Sequence, residues 1–407
     1  MKKLVLSVAL LAGAFSFSFA QQKAVKEAKR LANGVNPDFA QAEQLINEAL
    51  ENDETKNDAA TWDVAGLIQQ RFIEEEQKKQ YLNQEYDTLG VYNSISKLVE
   101  YYSKCDELAQ IPNEKGKVKN KFRKSNSKTI AGLRPELING GVYFFNKNED
   151  KEALEFFKKY LESATLPIFD GEDLVSEDTN FKMIAYYATL AAARLEDNEQ
   201  IIKLAPLAIA DSQEGMQALE FLSHAYRATE RTDELIATLK EGVEMFPESF
   251  YFFGNLVDLY VSKEQLPEAL TLADAMIARD ATNSNAVFVK GYILHHMKNY
   301  DGAVEMFKKA VEINPEYAEA YSNLGLIYLN LGQEALNEIP ADLAVNSQAY
   351  NKLVEEANKS FREALPYYLK ARELKPDEKN LWVQGLYRIY YNLNMGDEFR
   401  EVEGLLE

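Results

Sequence analysis

The three histidines of this chain are His224, His295 and His296, and its single cysteine is Cys105. Nucleophilic or metal chemistry would require these groups in partnership, and their spacing does not provide it. His295 and His296 are neighbours, so on one helix they point about 100° apart and cannot readily share a metal ion. The sequence holds no Gly-x-Ser-x-Gly elbow, no phosphate-binding glycine loop and no His-Glu-x-x-His pair. With 65 Asp and Glu residues, no pair of carboxylates stands out as an acid–base couple. Cys105 can form no intrachain disulfide, and its setting after Tyr101 and Tyr102 on an expected helix reads as a packed thiol. These residue types point away from catalysis, from a cofactor and from a bound metal, and toward surface recognition.

Charge offers one recognition candidate. The formal net charge is -20, which keeps a long chain soluble and argues against general nucleic-acid binding. Against that background, residues 115–128 contain Lys115, Lys117, Lys119, Lys121, Arg123, Lys124 and Lys128 and no acid. The segment is expected to be a solvated helix start that balances nearby carboxylates; docking of an anionic partner is the other reading. An opposite cluster, Asp170, Glu172, Asp173, Glu177 and Asp178, lies in a stretch from Leu166 to Asn180. It lacks the alternation and central glycine of a calcium loop and reads as a solvated insertion.

Residues 1–20 have the order of a secretory leader: Lys2 and Lys3, an apolar run from Leu4 to Phe15, then Ser18-Phe19-Ala20 as a small-x-small cleavage site. No cysteine follows Ala20, so a lipoprotein is not expected. A periplasmic or secreted protein beginning at Gln21 is, with no later stretch apolar enough to span a bilayer.

The elements that must position these residues are set by a repeat. Counting from Ser284, small or aromatic residues fall at fixed places: Gly291 at position 8, Ala303 at 20, Phe307 at 24, Ala310 at 27 and Pro315 at 32. Small residues allow two helices to cross closely, the ring fills the space beside them, and the proline ends the second helix. Steps of 34 residues give comparable units at Met216, Phe250 and Ala318, and Arg134 opens an earlier one with Gly141, Ala153 and Phe157. Pro135 is expected in the first turn of that unit. Irregular units occupy residues 21–133, and Gly325 to Pro376 carries 27 residues more than Gly291 to Pro315. The surplus is expected after Gly332, lengthening the second helix to about Ser347–Leu374. Residues 333–407 thus form an extended helix and a cap, and residues 21–407 a single array.

This pattern resembles tetratricopeptide repeat (TPR) proteins. The long irregular units, the Asn139–Phe145 helix and the basic segment are similar to exported members from Bacteroides-type bacteria. The resemblance implies an all-α solenoid of eight to nine helix pairs, a right-handed superhelix whose concave face holds a peptide or a protein partner, with no enzymatic activity. An accessory part of an outer-membrane nutrient or glycan uptake system is the alternative. On the first helix of each pair, positions 2, 5, 9 and 12 would face the groove, which selects His224, Arg227, Tyr251, Asp258, Phe288, Tyr292, His295 and Ser322 as candidate contacts. Protein recovered from its native host is expected to start at Gln21; an intact mass that retains Met1 would contradict the leader.

Overall fold

The computed structural model describes residues 21–210, 212–345 and 347–406, so the expected leader, residues 1–20, lies outside the described residues. Among the described residues the regular structure is helical and contains no strand. By internal contacts the chain divides inside one helix, between Leu235 and Ile236, into two compact units. The first unit contains α1 (21–32), α2 (Phe39–Glu51), α3 (Ala59–Tyr81), α4 (Thr88–Ala109), α5 (Arg123–Phe145), α6 (Asp150–Ser163), the single-turn α7 (Leu174–Glu177), α8 (Phe181–Arg194), α9 (Asn198–Ala208) and α10 (Gln213–Ala228). Helix α11 (Thr232–Met245) spans the division. The second unit contains α12 (Phe250–Ser262), α13 (Leu266–Arg279), α14 (Ser284–His296), α15 (Tyr300–Ile313), α16 (Ala318–Asn337), α17 (Gln348–Leu374), α18 (Val383–Asn392) and α19 (Gly396–Glu403). Setting α7 aside, the described helices fall into nine consecutive pairs, an all-α helical-hairpin solenoid of the TPR type.

In four of the nine pairs an aromatic ring of the second helix is laid on a glycine of the first. A Cβ added to Gly141 of α5 would lie 2.3 Å from the Phe157 ring of α6, and one added to Gly291 of α14 would lie 2.8 Å from the Phe307 ring of α15. The same contact joins Gly66 of α3 to Tyr102 of α4, at 2.3 Å, and Gly325 of α16 to Tyr368 of α17, at 2.6 Å. In α5–α6 and α14–α15 the ring follows its glycine by 16 residues; in α16–α17 it follows by 43, a surplus of 27 that equals the expected insertion. Tyr368 also meets Gly385 of α18, where an added Cβ would come within 2.2 Å, so one ring fills the space between two successive first helices. The insertion is shared: α17 has the expected span, but α16 also runs on to Asn337, and Gly332 lies inside it under the Phe361 ring.

The turns inside the pairs repeat as strictly. Glu196, Glu230, Glu264 and Lys298 lie 34 residues apart and all have left-handed backbones, with φ between 56° and 59°. Each closes its helix with the same two bonds. At Glu264, for example, its own N–H donates to Val261 O at 3.0 Å and the next N–H, of Gln265, donates to Tyr260 O at 2.8 Å. This satisfies carbonyls that a helix end leaves open. The following helix is then capped from its side, as where Asn299 Oδ1 accepts from Gly302 N–H at 3.1 Å.

Three expectations are corrected. Pro135 is interior to α5, which begins twelve residues earlier at Arg123. Asn120 Oδ1 accepts from the N–H groups of Phe122 and Arg123 at 3.0 Å each, and buried Asn126 and Ile130 anchor the added turns. The helix therefore starts at this cap and not at the proline. The acidic insertion is not simply solvated: Ile168 and Phe169 are buried, and Asp178 accepts from Arg134 at 3.0 Å and from the Tyr160 hydroxyl at 2.5 Å. The basic segment is not a continuous helix start, since residues 110–122 form a loop and only those from Arg123 onward are helical. Cys105 is fully buried in unit 1, and that burial, with Asp63 and Asp106 nearby, pushes its thiol up to about 12. The packed-thiol reading stands, because little thiolate exists at neutral pH.

Two substitutions test this framework with opposite signs. Gly325→Leu is expected to cost about 1–3 kcal/mol by overpacking against Tyr368. Glu264→Gly removes a non-glycine residue from the left-handed region and is expected to stabilise by about 0.5–1 kcal/mol after glycine's greater freedom in the unfolded chain is counted. Denaturant unfolding of each variant reads both; an unchanged midpoint for Gly325→Leu would contradict the crossing geometry.

Candidate binding groove

In unit 2, three first helices lie side by side and leave a cavity of about 520 Å³ between them. Its walls come from Phe250, Tyr251, Gly254, Asn255, Val257 and Asp258 of α12, Phe288, Val289 and Tyr292 of α14, and Glu319 and Asn323 of α16. Leu381 closes one side. It belongs to a short 3-10 turn, Lys379–Leu381, held in place because the Ser322 hydroxyl donates to Leu381 O at 2.6 Å.

The aromatic wall is braced from behind. Phe288 lies 5.3 Å from the Phe307 ring and 4.9 Å from Tyr317, centroid to centroid, so its position follows from the ring-on-glycine contact of the same pair. The polar groups are also fixed. Asn255 Nδ2 donates to Tyr251 O at 2.7 Å and Asn323 Nδ2 to Glu319 O at 2.8 Å, each one turn back on its own helix. Glu319 is tied to Lys375 at 2.8 Å, and Asp258 is exposed at the mouth. Burial, with the Asp258 carboxylate adding to it, raises the Tyr292 hydroxyl above the ordinary tyrosine range, so it stays a neutral donor at physiological pH. Such a site offers flat aromatic surface, two oriented side-chain amides and a negative rim. It contains no nucleophile with a base beside it, and among the described residues no group of three His, Cys, Asp or Glu is arranged to hold a metal ion.

Of the candidate contacts, Tyr251, Asp258, Phe288 and Tyr292 meet in this cavity. His224 and Arg227 are exposed on α10, in unit 1. His295 does not line the cavity; it is half-buried at the end of α14, with Tyr300 at 5.8 Å and His296 at 6.0 Å between ring centroids. Ser322 is a structural hydroxyl that carries Leu381 to the wall. The residues missed are Asn255, Val289 and Asn323, which occupy position 6 of their units. A helix turns once in 3.6 residues, so the groove face includes position 6 as well as 5, and an asparagine there in two units was a legible signal. Leu381 gave no such signal, because it reaches the site from beyond the long insertion.

In unit 1, the basic segment contributes Arg123, whose Nε and Nη2 donate to buried Asp106 at 2.8 and 2.7 Å. Among the described residues, Lys115, Lys117, Lys119, Lys121, Lys124 and Lys128 have no carboxylate within 4.0 Å and are exposed. The expected balancing of the chain's own acids at contact distance is therefore made by Arg123, with Lys121 acting on Asp63 only through its field. No helix among the described residues is long and apolar enough to cross a membrane.

Comparison with known proteins places residues 291–332 in a TPR repeat family model. A curated relative, anaphase-promoting complex subunit 3 of Schizosaccharomyces pombe, is 23% identical over 271 residues, which span 64% of this chain and 37% of the relative. Among solved structures, a TPR repeats protein of Bacteroides fragilis is 18% identical, with 67% of this chain and 98% of that one covered and a TM-score of 0.33. YrrB, described as a TPR protein with an unusual peptide-binding site, is 19% identical over 48% of this chain and 93% of its own, with a TM-score of 0.32.

Burial, and then neighbouring His296, lowers the pKa of His295 below its unperturbed value near 6.5. A lowered value makes the neutral ring the native form, so its contribution is complete above about pH 6.5 and is lost as pH falls through the folded pKa. His295→Gln is expected to flatten the acid-side fall in melting temperature; an identical pH profile for variant and parent would contradict this.

Proposed function

We propose that this chain is a non-enzymatic scaffold of the bacterial cell envelope that captures an extended segment of a protein partner in the unit 2 groove. The observation that carries the reading is the convergence of Tyr251, Phe288 and Tyr292 with the anchored amides of Asn255 and Asn323 around one cavity. Rigid aromatic side chains provide contact area at small entropic cost, and side-chain amides match the donors and acceptors of a peptide backbone. Asp258 at the mouth and the net charge of -20 favour a segment with an apolar or aromatic anchor beside a lysine or arginine. TPR proteins bind protein or peptide partners, which supports the same reading. Export to the envelope rests on the leader pattern in residues 1–20.

Random-peptide phage display against the full chain would test the reading. The selected peptides are expected to combine an aromatic or aliphatic anchor with an adjacent basic residue. Tyr292→Ala, or Tyr251→Ala combined with Asp258→Lys, is expected to weaken their binding by about tenfold or more. Peptides that bind the variants as tightly as the parent would remove the groove from consideration.

A further inference from the structure

We infer that the loop joining α4 to α5, residues 110–122, is a membrane-surface site that docks the chain onto anionic lipid headgroups. This inference is independent of the groove. Its first support is the state of the lysines. Lys115, Lys117, Lys119 and Lys121 occupy alternate positions of the loop, and Lys124 and Lys128 continue the charge into α5. All six are exposed, and among the described residues none has a carboxylate within 4.0 Å, although the chain has a net charge of -20. Lys121 stands 5.0 Å from the centroid of the Phe122 ring and feels the Asp63 carboxylate only at long range, with no ion pair at contact.

The second support is that the loop is held in shape. Asn113 Oδ1 accepts from the N–H groups of Lys115 and Lys117 at 2.9 and 3.2 Å, and Asn113 N–H donates to Lys117 O at 3.1 Å. At the other end, Asn120 Nδ2 donates to Asp106 Oδ1 at 2.6 Å beside the Arg123–Asp106 pair. A fixed backbone presents the cations together without an ordering cost at contact.

The third support decides the kind of partner. Ile111 and Val118, in the same loop, are 64% and 47% exposed. A soluble polyanion would engage the lysines alone. An anionic bilayer uses both: ammonium groups meet headgroups while apolar side chains enter the boundary with the acyl chains. The remote carboxylates of the chain do not prevent this, because salt screens exposed charges beyond about 10 Å at 0.1 M ionic strength while the loop cations act at contact.

The experiment is flotation of the full chain with vesicles of phosphatidylcholine containing about one-third phosphatidylglycerol, and with phosphatidylcholine alone, at low and high salt. The chain is expected to float with the anionic vesicles at low salt and to be released at high salt. Residues 1–20 carry Lys2, Lys3 and an apolar run, so the same assay is made on the full chain with Lys115, Lys117, Lys119 and Lys121 all changed to Gln. At about fivefold per lysine, this variant is expected to bind at least about 100-fold more weakly. The milder Lys117→Gln, Lys119→Gln pair, about 25-fold weaker, provides the test if the fourfold change disturbs folding, which far-ultraviolet circular dichroism monitors. Ile111→Ser with Val118→Ser is expected to keep the preference for anionic vesicles but to release at lower salt. Equal flotation of parent and lysine variants would overturn the inference. Capture of soluble polyglutamate with no flotation would also overturn it, by making the loop a site for an acidic protein.

Discussion

A ring seated on a glycine sets the crossing in four of the nine helix pairs of this protein. In four pairs the first helix contributes Gly66, Gly141, Gly291 or Gly325, and the second lays Tyr102, Phe157, Phe307 or Tyr368 on it. The missing side chain is what permits the approach, since the added Cβ would come within 2.3–2.8 Å of the ring. Close-packed interiors tolerate neither the void left by a smaller ring nor the overlap created by a larger residue. The insertions respect this contact: surplus residues extend helices on either side of it, and ring and glycine still meet.

The groove inherits its form from the same contact. Phe288 rests on Phe307, and Phe307 on Gly291, so the aromatic wall of the cavity is placed by the hairpin core behind it. Leu381 is delivered by a different device, the bond from Ser322 that fastens the turn before α18. A binding surface built on helices and braced by a second layer of rings needs little ordering when a peptide arrives. In unit 1 the loop after α4 shows the same economy, with asparagines holding the backbone while lysines and two apolar side chains face solvent.

Much of this was legible in the residues. Gly291, Phe307 and Pro315 announce the repeat, and the 27 surplus residues before Pro376 were countable from spacing alone. The turn conformations were not legible: Glu196, Glu230, Glu264 and Lys298 adopt left-handed backbones that sequence reading assigns to glycine or asparagine. They are held there by the two local backbone hydrogen bonds that end each helix, and a glutamate or lysine at the position does not signal that conformation. The start of α5 was misread because Pro135 is a strong local signal while the cap at Asn120 depends on contacts with Asp106 on another helix. At the groove, Tyr251, Asp258, Phe288 and Tyr292 follow from helix periodicity, whereas Ser322 and His295 face packing partners that no periodicity names.

The central claim is that ring and glycine form one energetic unit on which both hairpin and groove depend. A double-mutant cycle on Gly291 and Phe307, read by denaturant unfolding, tests it most directly. If the contact is a unit, Gly291→Ala costs much less once Phe307→Leu has removed the ring, and the two changes couple by about 0.5–3 kcal/mol. If the two costs simply add, within about 0.3–0.5 kcal/mol, the residues act independently and the account is contradicted.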